Sequence, residues 1–213
     1  LADDSGAVFV NPAGLARQRG SELGLDFSSW LQGARMGDLS YSGPAGAGRL
    51  GLGLTVMTVD GIERRRDDAV GIVPSDGTFG ADDMAVSLAW AVEEIAPDLL
   101  PRLDGGLAVK FVRSKIDDRA ALAAAVDAGV IYRAADPLSL ALAVQNLGSR
   151  MKFDSVSDPL PLDLRAGALY RVSEDFNASA EVNEYLNDER FYPSLGCEYW
   201  ARGALALRAG YRF

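Results

Sequence analysis

Two consecutive segments, residues 106–114 and 121–133, place the strongest constraint on what this chain can fold into. In both segments apolar side chains alternate with small or charged ones, which is the period-two pattern of a β-strand with one apolar face. A polar turn, Asp117-Asp118-Arg119, separates the two runs. The pair therefore predicts a β-hairpin whose two faces meet different surroundings.

The same alternation recurs along the chain and indicates about eleven strands. Most of these runs are roughly ten residues long, the length that a strand tilted by about 45° needs to cross a bilayer, whereas strands in general average about five or six residues. No run approaches the roughly 18 consecutive apolar residues of a membrane-spanning helix. We predict an all-β fold, an antiparallel transmembrane β-barrel. A soluble β-sandwich adhesin is the alternative, because the strands of a sandwich alternate in the same way.

The strand faces opposite the apolar stripes carry charges of both signs among small residues. A polar barrel lumen has this composition, and charges of opposite sign inside it pair and fill the interior. Tyrosines near the strand ends favour the membrane barrel, since aromatic side chains collect at membrane interfaces. The residues predicted to face the lumen are Asp26, Lys110, Asp127, Arg133, Asp163, Arg165, Arg171, Glu181, Glu198, Arg208 and Arg212.

Charge and composition argue against several classes of function. A net charge of −9 disfavours binding to nucleic acid, and the absence of histidine leaves no Ser-His or Cys-His pair for catalysis. The single cysteine, Cys197, has no partner for an intrachain disulfide. Acidic pairs such as Asp3-Asp4 lack the spaced oxygen ligands of a calcium loop. We therefore expect no enzyme activity, no metal, no cofactor and no nucleic-acid partner.

Residues 1–20 differ from the rest of the chain, because they lack the period-two pattern. The Asn11-Pro12 step disfavours a continuous helix, so short helical turns around a corner are expected. In this interpretation a turn, one of whose side chains caps a short helix, is formed by Asn11, Pro12, Ala13 and Gly14. We predict an N-terminal segment over residues 1–20 and the strands of the barrel over residues 21–213.

The opening run DDSGAVFVNPAGLAR resembles the N-terminal signature of FadL-like outer-membrane proteins. Later blocks resemble the PorV/PorQ family of that superfamily, and together they cover nearly the whole chain in the family's order. The blocks are GTFGADDMAVSLAWA, GLAVKFVRSKIDDRAALAAAVDAGVIYR, LSLALAVQNLGS, PLPLDLRAGALYRV and SLGCEYWARGALALRAGYRF. The resemblance implies a barrel in the outer membrane of a Gram-negative envelope, with an N-terminal segment that folds inward. Asn11, Pro12, Ala13 and Gly14 would then belong to a plug that controls the lumen.

The resemblance also implies about fourteen strands, so this chain is expected to be an incomplete barrel that needs at least one more strand to close. Counted from a periplasmic start, the connections at residues 60–83 and 148–161 are expected to be extracellular loops. Both are expected to lack strands of their own.

Two functions are implied by the resemblance and stay open. The first is transport or binding of hydrophobic small molecules across the outer membrane, with lipid and a small-molecule ligand as partners. The second is a barrel that transports nothing and binds proteins of a secretion system. An apolar pocket near the N-terminal segment or an opening in the barrel wall favours the first. An interior filled by that segment and by ion pairs favours the second.

Overall fold

The computed structural model describes residues 3–30, 33–65, 77–187, 190–202 and 204–213. Two short helices come first, α1 (Ala7–Val10) and a 3₁₀ helix (Pro12–Leu15), and strands make up most of the remaining chain. The strands are β1 (Glu22–Ser29), β2 (Ala34–Ala45), β3 (Gly48–Glu63), β4 (Thr78–Val92), β5 (Leu103–Ile116), β6 (Arg119–Ala135), β7 (Leu138–Gly148), β8 (Arg150–Phe153), β9 (Val156–Pro159), β10 (Asp163–Arg171), β11 (Phe176–Tyr185), β12 (Arg190–Ala201) and β13 (Leu205–Arg212).

Eleven of these strands form one antiparallel sheet, as the alternation predicted. Each strand pairs with the next along the chain, except that β7 pairs with β10, because β8 and β9 form a separate two-stranded hairpin between them. The β8–β9 hairpin is the only other sheet among the described residues, and its two short strands cannot cover the apolar face of the main sheet. The β-sandwich alternative is therefore wrong. In the same residues β1 and β13 each have a neighbour on one side only.

The two expected loops are shorter than the sequence suggested. Pairing between β3 and β4 continues past a register shift to Glu63 and Thr78, so the connection spans residues 64–77 instead of 60–83. Residues 148–161 contain the β8–β9 hairpin. Both corrections have one cause, since backbone hydrogen bonding extends strands into polar segments that lack an apolar stripe. Residues 66–76 lie outside the described residues.

The long connections lie at one end of the sheet, here called the loop end, together with the turn between β5 and β6. The opposite end, here called the turn end, carries the short turns that join β2 to β3, β6 to β7 and β12 to β13, together with the connection between β4 and β5, residues 93–102. In transmembrane barrels the short turns face the periplasm and the long loops face outside.

Large apolar side chains cover the outer face of the sheet, and small ones line its inner face. Leu25 is 80% exposed on β1, and Leu107 is 59% exposed on β5, whereas Ala108 beside it is buried. The buried core lies inside the curve of the sheet, between this small-residue face and the N-terminal helices. Among the described residues no helix is long and apolar enough to cross a membrane. The sheet therefore keeps its largest apolar surface outside.

Cys197 allows a direct test of what this outer face meets, because it is the only cysteine in the sequence and lies exposed on β12. If lipid covers the outer face, a charged reagent has to leave water to reach the thiol, and that transfer costs free energy. A charged maleimide should then label Cys197 at least about tenfold more slowly than a cysteine in water. The matched control is Ser173→Cys in a Cys197→Ser background, since Ser173 is exposed in the turn between β10 and β11. Equal labelling rates in the folded protein would contradict a lipid-facing stripe.

Candidate functional site

The N-terminal segment, residues 3–20, lies against the inner face of the sheet, which curves around it. Ser5 Oγ is 2.8 Å from Ser40 Oγ on β2, and the carbonyl of Phe9 accepts a hydrogen bond from Gln145 Nε2 on β7 over 2.8 Å. The 3₁₀ helix contacts β3 to β6 between these points. One segment of the chain thus bridges strands that are far apart around the sheet.

Asn11 joins the two helices and also reaches the wall. Its Oδ1 accepts a hydrogen bond from the backbone N–H of Ala13 over 3.0 Å, which is the geometry of a helix N-cap. Its Nδ2 donates to the carbonyls of Leu142 and Val130 over 3.3 and 3.5 Å. These two residues are partners across β6 and β7. Pro12, Ala13 and Gly14 follow Asn11 and are buried in the 3₁₀ helix.

Four glycines on the inner face make room for the segment. A Cβ at Gly51 would come 2.5 Å from Leu15 Cδ1, and one at Gly106 would overlap the backbone of Pro12 and Ala13. A Cβ at Gly129 would overlap Asn11 Oδ1. An added methyl group therefore cannot be accommodated at these sites without movement of the segment or the wall. This group, here called the glycine seat, consists of Gly51, Gly53, Gly106 and Gly129.

A cluster of charges ties the segment to the turn end. Arg17 Nε lies 3.0 Å from Asp104 Oδ2, and the other nitrogens of Arg17 lie 3.1 Å from Glu93 and 3.5 Å from Glu94. Asp104 is buried, with 3% of its side chain exposed, and it also pairs with Arg133. Two guanidinium groups from different parts of the chain thus share one buried carboxylate. This group of five residues is here called the rim cluster.

The pairing of β6 and β7 is interrupted on the loop-end side of the glycine seat. Its register shifts between Val126 and Ala128, and the fully buried carboxylate of Asp127 occupies the break. Lys110 Nζ lies 2.8 Å from Asp127 Oδ2, and the backbone N–H of Asn146 donates to Asp127 Oδ1 over 2.7 Å. The ion pair therefore fills a gap in the ladder from the inner side.

Most of the charges predicted to face the lumen form pairs of opposite sign. Besides Lys110–Asp127 and Arg133–Asp104, Arg165 Nε lies 2.7 Å from Asp163 Oδ2 and Arg208 Nε lies 2.6 Å from Glu198 Oε2. Arg212 stacks over the ring of Tyr192. The structure does not bring Asp26 and Arg171 into these pairs, since both are exposed near strand edges or ends. Glu181 faces inward next to Asn183, in the neighbourhood of Arg165.

Asp3 gives the segment a dependence on pH. Burial raises the pKa of the Asp3 carboxyl above its ordinary value of 3.8, and the nearby carboxylates of Asp4 and Glu198 raise it further. A raised pKa means that the folded chain binds this proton more tightly than the unfolded chain does. Asp3 therefore destabilises the seated segment while it is ionised. The penalty is relieved as the pH falls through the raised pKa and is gone below the ordinary value.

Two cavities lie on opposite faces of the wall around β7 and β10. The inner cavity, about 50 Å³, lies between the N-terminal segment and the inner faces of β7, β10 and β11. The outer furrow, about 760 Å³, crosses the outward face of the sheet and is almost entirely apolar. Leu142, Ala143 and Arg165 border both, so little more than the strand backbone separates them. The furrow follows the row of paired residues Trp90, Leu107, Ala128, Val144, Leu164, Glu184 and Phe191.

Sequence reasoning missed the glycine seat, Arg17 and Asp104. The signal for Asp104 was present, because the alternation of residues 106–114 extended back by two places puts Asp104 on the same face as Lys110. The glycines at positions 51 and 53 also alternate with outward leucines. The alternation does not indicate which segment of the chain packs on these glycines.

No family model matches the sequence, and no curated protein matches it significantly. Among solved structures, the chain is similar to the TodX deltaS2S3 mutant monoaromatic hydrocarbon channel, with a TM-score of 0.70 and 14% identity. The match covers 97% of this chain and 78% of that chain. At this identity the likeness concerns the fold, and it confirms the predicted antiparallel β-barrel. Membership of the FadL-like superfamily stays a prediction. Membership of the PorV/PorQ family and a count of fourteen strands stay predictions.

Proposed function

We propose that this protein is an outer-membrane barrel that binds hydrophobic small molecules and passes them across the outer membrane, by binding and gating without bond chemistry. The observation that carries the proposal is the inner cavity and the apolar outer furrow, which face each other across β7 and β10. The similar fold of a monoaromatic hydrocarbon channel supports it. Membrane lipid and an apolar ligand are the partners that this function requires.

The apolar furrow suits this function because the proposed cargo dissolves poorly in water. An apolar molecule gains free energy when it leaves water for an apolar groove, by roughly 25 cal/mol for each Å² buried. The volume of the furrow, about 760 Å³, falls within the usual range for small-molecule sites. The inner cavity holds far less, about 50 Å³, so cargo requires the N-terminal segment to shift. The segment thus acts as the gate, with Asn11 at the point where it meets the wall.

A second function rests on a different observation. The N-terminal segment, the glycine seat and the ion pairs fill much of the described interior. A barrel filled in this way suits a scaffold that binds proteins of a secretion system and transports nothing. The two functions differ in one measurable property, which is uptake of an apolar compound that depends on the furrow.

The test fills the furrow from the outside. Ala166 lines the furrow, so Ala166→Trp should block it and lower the uptake of a labelled alkylbenzene at least about tenfold in cells that carry the protein in an intact outer membrane. Ala124→Trp is the control, because Ala124 is exposed on β6 outside the furrow. Heat-modifiable mobility in detergent and recovery in the membrane fraction establish that each variant has folded. Uptake that is independent of the protein would reject transport and leave the scaffold function.

A further inference from the structure

We infer that the route through the wall takes uncharged apolar molecules and rejects their carboxylate analogues, with Glu181 as the residue that determines this specificity. The inference rests on the proposed transport function and adds the class of cargo to it. The inference is based on the charges around the inner cavity. Any molecule that moves between the lumen and the outer furrow would have to pass this cavity.

The lining of the inner cavity is small and apolar apart from a few polar groups. Val10, Ala141 and Ala143 are among the apolar residues, and Arg165 and Glu181 are the charged ones. Asp163 stands directly behind Arg165, with 2.7 Å between Asp163 Oδ2 and Arg165 Nε. The three charged groups sum to −1, since one guanidinium faces two carboxylates.

Hydrogen bonds hold these groups in place. With the amide of Asn183 oriented so that its oxygen faces Arg165, Oδ1 accepts from Arg165 Nε over 3.1 Å and Nδ2 donates to Glu181 Oε1 over 2.8 Å. Asn183 is fully buried and Asp163 is 1% exposed. The cation that lines the cavity is therefore already engaged with a buried carboxylate, and the carboxylate of Glu181 is fixed at the cavity surface.

A carboxylate that enters this site meets two penalties. It loses water on entry to the apolar furrow, and it then stands near Glu181 in surroundings of low dielectric. An uncharged molecule of the same shape meets neither. Elsewhere on the described inner face, Lys110, Arg133 and Arg208 are each paired with a carboxylate, so they offer no replacement for the lost hydration.

The experiment compares butylcyclohexane with 4-butylcyclohexanecarboxylate at pH 8, a pair that differs in the carboxylate. Binding to the protein in lipid nanodiscs is measured by equilibrium dialysis, with empty nanodiscs as the reference for partitioning into lipid. The wild-type protein should bind the hydrocarbon at least about tenfold more tightly than the carboxylate. Glu181→Gln removes the charge and keeps an oxygen for Asn183. It should therefore lower the ratio of the two affinities, hydrocarbon over carboxylate, about tenfold by strengthening the binding of the carboxylate alone.

The control is Glu174→Gln, which makes the same change of charge in the exposed turn between β10 and β11 and should leave the ratio unchanged. Heat-modifiable mobility checks that both variants are folded. Equal binding of the two compounds by the wild-type protein would overturn the specificity and leave the transport proposal intact. Discrimination that Glu181→Gln does not reduce would overturn the role of Glu181. Binding of neither compound would reject the transport proposal, and the specificity with it.

Discussion

Replacing Gly106 by alanine is expected to unseat the N-terminal segment and to destabilise the folded protein by about 1–3 kcal/mol. A Cβ at this position would overlap the backbone of Pro12 and Ala13 and would lie 2.7 Å from the carbonyl oxygen of Pro12. Backbone atoms cannot rotate away as a flexible side chain can. The segment must therefore lift from the wall, or β5 must bend outward.

The two responses have separate readouts. Destabilisation appears as a lower urea midpoint for the loss of heat-modifiable mobility. Lifting of the segment appears as faster cleavage by trypsin after Arg17, which the rim cluster holds in the wild-type protein. Gly167→Ala is the matched control, because it adds the same methyl group to the inner face of β10, where the nearest atom is 3.5 Å away. If both variants behave alike in both measurements, the glycine seat has no role in holding the segment.

The direction of side chains was predictable from the sequence, because alternation depends only on local geometry. Leu107 and Ala108 are adjacent and fall on opposite faces, and their exposure agrees with the prediction. The number of strands in the main sheet was predictable for the same reason. Strand ends were less accessible, since pairing of β3 with β4 continues to Glu63 after the apolar stripe has ended.

Contacts across the barrel depend on register, which the alternation does not contain. Lys110 and Asp127 were both predicted to face the lumen, but they meet because the register of β5 and β6 pairs Asp127 with Ala108 and so makes Lys110 its diagonal neighbour on the same face. Asn11 contacts carbonyls 119 and 131 residues away in sequence. Contacts of that separation depend on how the whole sheet curves around the segment. A single strand carries no signal for them.

The wall between the inner cavity and the outer furrow is a second feature that alternation along single strands does not predict. Arg165 was predicted to face the lumen from alternation, and nothing in its strand indicated that the wall between the lumen and an outer furrow is thin there. That property arises because β7 skips β8 and β9 and pairs with β10. The candidate route is therefore a product of topology, although the lumen-facing positions of Arg165 and Glu181 along it were individually predictable.

Replacing Asp104 by asparagine is expected to have the largest effect on stability, about 3–5 kcal/mol, because it leaves two arginines at the turn end without their shared carboxylate. Asp104 is 3% exposed and binds Arg17 from the segment and Arg133 from β6. Asparagine preserves the shape and removes the charge. The segment should loosen as well, since Arg17 then keeps only the more exposed Glu93 and Glu94.

Asp136→Asn is the control for this substitution, because Asp136 lies at the same end of the barrel, is 93% exposed and pairs with Arg102 over 3.3 Å. An exposed pair of this kind contributes about 0–1 kcal/mol, so the control should shift the urea midpoint little. Asp104→Asn combined with Arg133→Gln should recover part of the loss, since it removes one of the stranded charges. A loss at Asp104 no larger than that at Asp136, with unchanged trypsin cleavage at Arg17, would mean that the rim cluster does not hold the segment.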